Sequence, residues 1–299
     1  MSLHRIDIDT VKSPNKTFNN YGGNNFWPAP EGGIFGFNYE GNTWRVQSAI
    51  NSEPFIMINK SQKSAIAHKQ TMLINRKGTQ IKVNMHRTFS IAPVTELFNQ
   101  ITPVCSFAYT VEDCVDVLNQ LDSEDGLLGC WTLEQFNAGK TTIAFVLVED
   151  VYNAVNFDFY EHPNERLDYG SRGLIYRTDG IKAGQIGIKT AANASCIGFC
   201  DTASRIICIR EIVVPSQGTY LNFADNDQPK GPYSAADNYS IFNGGPTQNF
   251  FELETVGAAE IDHGIVKGSK LVTKTSFAIF SSEQEVKQFI ENLIGIEIK

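Results

Sequence analysis

Apolar and polar residues alternate with a period of two over short stretches along most of the chain, at 33–39, 80–91, 142–149, 184–189, 205–214 and 271–280, with Gly, Asn, Asp and Pro clusters between them. Alternation of that period belongs to β-strands that bury one face. Many short strands without a fixed-length repeat predict an all-β protein, with two sheets packed face to face rather than a propeller or solenoid. Helical spacing is clear only once. Ser282 to Glu285 reads as a capping box, and Val286, Phe289, Ile290 and Leu293 follow at i, i+3, i+4 and i+7. This predicts a C-terminal helix laid on the sandwich by one apolar face. Residues 111–121 fit helix or strand by spacing alone.

In the 80–91 stretch Ile81, Val83, Met85, Phe89 and Ile91 share one face, and Arg87 falls among them. An arginine at an apolar position must be paired or line a cleft, because burying an unpaired charge is too costly. Two outcomes follow: a buried arginine–carboxylate pair, or an Arg87 that donates to substrate hydroxyls and pairs with Glu53 or Glu254.

The chain has 299 residues and a net charge of −8, and its 25 Lys and Arg are scattered singly. A single domain over 1–299 is expected, and neither nucleic acid nor an anionic membrane is an expected partner. The six cysteines form no CxxC pair and have no histidine cluster at zinc spacing, so no metal is expected and most are small buried residues of a reducing compartment. No stretch reaches the length of a membrane span, and Met1 to Asp9 has no apolar export core. The expected location is the cytoplasm, or the periplasm if an export signal has been removed. GxGxxG, P-loop, G-x-S-x-G and H-E-x-x-H motifs are absent, so no cofactor is expected. Nothing sets an oligomeric state.

Candidate chemistry concentrates in Phe250-Phe-Glu-Leu-Glu-Thr255. As a strand, it places Glu252 and Glu254 on one face and Phe251, Leu253 and Thr255 on the other. Two carboxylates then project together from a strand whose back is buried, which suits proton transfer or hydroxyl binding.

This motif, a variable loop, the Lys267-Gly-Ser269 turn and a Thr-rich last strand resemble the C-terminal end of the aldose 1-epimerases (galactose mutarotases). Asn24-Asn-Phe-Trp-Pro-Ala-Pro-Glu-Gly-Gly33, Asn51-Ser-Glu-Pro-Phe55, Gly126-Leu-Leu-Gly-Cys-Trp131 and Gly231-Pro-Tyr233 are similar, in the same order, to patterns of a bacterial mutarotase-like group without a settled reaction. The resemblance implies a β-supersandwich: two large antiparallel sheets with a sugar-binding cleft on a concave face. It favours a strand over 111–121 and implies a mono- or oligosaccharide as partner.

Epimerases of this family open and reclose a sugar ring, one group taking the anomeric proton while another gives a proton to the ring oxygen. The resemblance puts the base at Glu254. The family's acid is a histidine in an N-H-x-Y-F-N-like stretch, and the matching segment here, Cys130 to Asn137, has none. His162, beside Glu161, Glu165 and Arg166 in a polar loop, is either the substitute acid or a solvated loop histidine; His4, by contrast, lies in a frayed terminus. Trp131 is either a stacking platform for a pyranose or a core residue. Trp27 and Glu31, in a Pro- and Gly-rich turn, either wall the cleft and bind hydroxyls or serve the turn. Asp225, in an Asx-rich loop, binds sugar hydroxyls or a cation, or simply turns the chain. Three functions compete: an aldose 1-epimerase-like isomerase, a non-catalytic carbohydrate-binding protein, and a lyase or hydrolase of acidic polysaccharide, which would need a positive cleft.

Overall fold

A computed structural model describes residues 3–14, 17–157, 162–221 and 237–298. In the first half of the chain the strands are β1 Asn24–Ala29, β2 Tyr39–Glu40, β3 Thr43–Trp44, β4 Ile56–Lys60, β5 Ser64–Ile74, β6 Gln80–Ala92, β7 Cys105–Val117, β8 Gly129–Asn137 and β9 Thr142–Val148. There follow β10 Val155–Asn156, β11 Leu167–Tyr169, β12 Gly173–Arg177, β13 Gly184–Lys189, β14 Ala194–Asp201 and β15 Ile206–Val214. The last are β16 Asp237–Asn243, β17 Phe250–Val256, β18 Ala259–Asp262 and β19 Ile265–Ile279. The α-helices are α1 Ile8–Lys12, α2 Ser48–Asn51 and α3 Glu283–Ile294. None among the described residues is long and apolar enough to cross a membrane.

Two large antiparallel sheets carry the architecture, as the alternation predicts. One has six strands in the order β1-β8-β17-β16-β13-β10; the other has eleven, running β11-β12-β9-β14-β15-β19-β7-β6-β5-β4 with β18 on β19. Between them lie apolar rows from both, including Phe136, Phe251 and Leu253 of the small sheet and Phe199, Ile197 and Phe277 of the large one. The outer face of the large sheet is covered by α3, whose Val286, Phe289, Ile290 and Leu293 pack on Phe145, Ile207 and Ile209. The Ser282 hydroxyl accepts from the Glu285 N–H at 3.2 Å, and the Glu285 carboxylate accepts from the backbone N–H of Ser281 at 3.0 Å. The helix start read from the sequence is thus built as a cap.

The strands expected at 80–91, 142–149, 184–189, 205–214 and 271–280 all form, and 111–117 is strand. Residues 33–39 are a correction. Residues 33–38 bend rather than extend, with only Tyr39 in a strand, because Gly33 takes φ +76° and a Cβ at Gly36 would stand 2.5 Å from the Glu31 carbonyl oxygen. The apparent alternation came from Phe35 and Phe37, both buried as anchors of that turn. The N-terminus is a second correction. Residues 4–6 are not frayed: the Arg5 N–H donates to the Gln135 carbonyl at 2.9 Å, and the His4 ring stacks 5.0 Å from that of Phe136.

Two buried ion pairs act as struts, one spanning the two sheets and one lying within the large sheet and reaching the small sheet through Asn24. Arg210 meets Glu134 at 2.5 Å and donates to the Thr132 and Thr255 hydroxyls at 2.6 and 2.9 Å, while Tyr109 donates to Glu134 at 2.7 Å. Burial alone would raise the Glu134 carboxyl, but Arg210, the His4 ring and Tyr109 outweigh it and hold it well below the usual carboxylate range. Beside it Arg87 pairs with Asp113 at 2.6 Å and donates to the Asn24 carbonyl at 2.9 Å. Asn24 donates in turn to Glu134 at 2.5 Å, which links the two struts.

Candidate functional site

The face of the six-stranded sheet turned away from the core carries a cavity of about 210 Å³. Its floor follows from strand alternation and register. Thr132, Glu134 and Phe136 of β8 point inward, so Trp131, Leu133 and Gln135 point out. On β17 the inward residues are Phe251, Leu253 and Thr255, leaving Glu252 and Glu254 outward as expected. Cross-strand pairing sets Trp27 opposite Trp131, Leu133 opposite Glu254, and Gln135 opposite Glu252. Phe242 of β16 pairs with Glu252, and Gln185 of β13 pairs with Phe242.

Aromatic rings form the walls. Trp27 meets Trp131 edge-on at 5.7 Å, and Phe18 bridges Trp27 and Trp44 at 6.3 and 5.1 Å. The chain has three tryptophans, and all of them line this cavity. Glu31 enters from the turn after β1, where its carboxylate accepts from Trp44 Nε1 at 2.9 Å and Asn38 Nδ2 at 3.3 Å. Trp27 itself lies on strand β1 rather than in that turn.

The two carboxyl groups of β17 are buried, 7% and 1% exposed for Glu252 and Glu254, and hydrogen-bond one another. Trp131 Nε1 and Gln185 Nε2 each donate to Glu254 Oε2 at 3.1 Å, and Gln135 Nε2 donates to Glu252 Oε1 at 2.7 Å. Burial, and then the charge of Glu252, push the Glu254 carboxyl well above its ordinary value. Glu252 is also raised, by burial, with the Gln135 hydrogen bond opposing. Two like charges in one poorly hydrated site cannot both be held near neutral pH, so the pair retains a proton. Such a pair has a donor and an acceptor side by side.

Of the residues singled out in the sequence, Glu254, Glu252, Trp131, Trp27 and Glu31 come together here. Arg87 does not: it faces the inter-sheet layer and is used up by Asp113 and Asn24, the buried-pair outcome. Glu53 lies away from the cavity, where it accepts from the Thr71 hydroxyl at 2.6 Å, so neither carboxylate proposed for Arg87 pairs with it. His162 is exposed in the loop after β10, its ring 4.2 Å from that of Phe157, and does not line the cavity. Strand order explains this: β10 is the edge strand farthest from β8 and β1. Asp225 lies outside the described residues. Sequence reasoning missed Gln135, Gln185, Phe18 and Trp44. For Gln135 a signal existed, since it continues the Trp131, Leu133 alternation. Among the described residues the lining includes three carboxyl groups and no Lys, Arg or His.

Several solved structures are similar to this chain. A protein of Escherichia coli K12 provisionally assigned as an aldose 1-epimerase is 12% identical, with 85% of this chain and 83% of that one covered at a TM-score of 0.47. A galactose mutarotase-like protein from Lactobacillus casei ATCC 334 is 11% identical, with 92% of each chain covered at a TM-score of 0.47. A galactose mutarotase related enzyme from Lactobacillus acidophilus is 13% identical, with 79% and 73% covered at a TM-score of 0.44. No curated protein matches the chain. A family model does, over residues 4–299, and the chain belongs to that family, DUF6786, a family of unknown function.

Proposed function

We propose that the cavity binds one sugar ring and that the Glu252–Glu254 pair moves protons on it, as an aldose 1-epimerase-like isomerase does. The observation that carries this reading is the convergence of all three tryptophans with the paired carboxyl groups of β17. Indole faces match the C–H surface of a pyranose, while carboxyl and amide groups match its hydroxyls. A volume of about 210 Å³ lies below the roughly 300–1,000 Å³ of clefts for larger ligands, which favours a single ring or the end of a chain over an internal oligosaccharide segment.

Ring opening needs a proton acceptor at the anomeric hydroxyl and a donor at the ring oxygen, and general acid–base catalysis of this kind supplies about 10²–10⁴-fold. A carboxyl pair holding one proton contains both, which answers the missing histidine. The resemblance in Leu253-Glu254-Thr255 supports Glu254 as one of the two. The lack of a histidine among the described lining residues favours a second reading, a protein that binds a sugar without opening it. A cleft for acidic polysaccharide has little support, because the described lining carries no cation.

Because all three tryptophans line the cavity, intrinsic fluorescence reports on it directly. Titration with a panel of aldoses is expected to give saturable changes that Trp131→Ala reduces. No change with any aldose, confirmed by calorimetry, would remove the sugar reading. Saturable binding without acceleration of anomer exchange would select the second one.

A further inference from the structure

We infer that Arg5 is a positioning residue which, through the side-chain amide of Gln135, keeps the negative charge of the β17 pair on Glu252 and the proton on Glu254. Arg5 comes from the N-terminal segment, far from β17 in sequence, and does not itself line the cavity. Its backbone is tied at both ends: its N–H donates to the Gln135 carbonyl at 2.9 Å and its carbonyl accepts from Gly23 at 2.8 Å. The guanidinium lies 5.1 Å from the centre of the Phe250 ring and reaches Asp7 at 3.2 Å and Asn20 Oδ1 at 3.3 Å.

The argument is one of donors and acceptors. Arg5 Nη1 donates to Gln135 Oε1 at 3.1 Å. A guanidinium has only donors, so the amide must turn its oxygen toward Arg5 and its NH₂ group the other way. That NH₂ donates to Glu252 Oε1 at 2.7 Å, so Glu252 must present a lone pair there. Flipping the amide would set NH₂ against guanidinium and oxygen against carboxylate. Glu252 therefore stands at the end of a polarised relay from a fixed cation, in the orientation that favours its charged form.

Glu254 has a different surround. Its donors, Trp131 and Gln185, are neutral, and Gln185 Nε2 is shared with the Ser240 hydroxyl at 2.8 Å. The charged groups acting on the pair are Arg5 from the N-terminal segment, which favours charge on Glu252, and Glu31 from the β1 turn, which disfavours charge on Glu254. Asp7 acts only through its pairing with Arg5. Glu254 is also the more deeply buried of the two.

The assignment rests on the proposed function only for its chemical consequence. On an aldose, Glu252 would take the anomeric hydroxyl proton while Glu254 gives its proton to the ring oxygen. The bond between the anomeric carbon and the ring oxygen breaks as the carbonyl forms. Reclosure on the other face returns both protons, and no other reactant is consumed. The base is then Glu252, with Glu254 as the acid.

The test needs no substrate. In the full-length protein, the side-chain carboxyl ¹³C shifts of Glu252 and Glu254 are followed by NMR from acid to alkaline pH. Glu252 is expected to ionise first, with Glu254 keeping its proton. Arg5→Gln should raise the Glu252 midpoint by roughly one pH unit, the lower end of what a nearby opposite charge does. Arg5→Lys, which keeps the charge, should stay close to the parent. Gln135→Met cuts the relay with Arg5 in place and should also raise the midpoint; it decides the matter if Arg5→Gln does not fold. Ionisation of Glu254 before Glu252 in the parent would overturn the inference, as would parent-like midpoints in both Arg5→Gln and Gln135→Met. A protein that binds no sugar would leave these titrations unchanged, so the two readings fail separately.

Discussion

Glu254 and Glu252 are held under conflicting demands, and each demand has a measurable trace. Both carboxyl groups are pushed above the ordinary value of 4.5, first of all by burial. Between that value and the raised ones the folded state binds more protons than the unfolded chain, so the stability contribution of the pair falls as pH rises. Glu254→Gln removes the conflict while keeping the hydrogen-bonding shape. Thermal unfolding is expected to show it more stable than the parent at neutral pH, with the gain disappearing below the ordinary carboxylate range. The same substitution should lower anomer exchange by about 10²-fold or more, since it deletes a proton donor. On the proposed mechanism, activity of the parent needs one proton on the pair. It should therefore fall on both sides of an optimum, with the acid limb above the usual carboxylate range, a profile that stopped-flow polarimetry across pH would reveal. At this scale the sequence was informative where alternation decides direction. Glu252, Glu254, Trp131 and Trp27 point as period two requires. Arg87 had its answer in the sequence too: Asp113 sits on the apolar face of Val111 and Val115, a mirror image of Arg87 among Val83 and Met85.

The elements show why the cavity floor is rigid. Behind β8 and β17, Thr132 and Thr255 share a 2.6 Å hydrogen bond and both accept from Arg210, which is fully buried against Glu134. Removing one partner of such a pair leaves the other buried and uncompensated, a cost of about 3–5 kcal/mol. Glu134→Gln should accordingly lower the unfolding free energy, measured by denaturant titration, by that amount at neutral pH. Because the Glu134 carboxyl is held low in the fold, its contribution is present above the ordinary value of 4.5 and fades as pH falls below it. The helix α3 offers an independent check, since Ser282→Ala should cost about 1 kcal/mol in the same measurement without altering the cavity. Helix and strands were legible because periodicity and capping are local. The turn at 33–39 was not, because Phe35 and Phe37 imitate a strand period while the bend depends on Gly33 at positive φ and the close approach of Gly36 to Glu31; nor was the placement of Arg5, which is set by Gln135, far away in the chain.

For the whole molecule, two large antiparallel sheets with one helix on the outer face follow from alternation along the chain. Their pairing order does not, because β1, β8 and β17 are neighbours in the sheet although many other strands separate them in the chain. The functional consequence is a cavity that draws Trp27, Trp131, Gln185 and Glu254 from four strands, and Trp44 and Glu31 from the rim. Its described lining is acidic, so sugar phosphates and uronates should bind more weakly than the matching neutral aldoses in a calorimetric comparison. The claim that the β17 carboxyl pair moves protons on a bound ring is tested most directly by NMR exchange spectroscopy of α/β interconversion across a panel of aldoses, with the parent and Glu254→Gln side by side. The account predicts acceleration by the parent for at least one aldose and its loss in Glu254→Gln, with binding retained. Equal rates with the two proteins, or no acceleration of any aldose that binds, would contradict it.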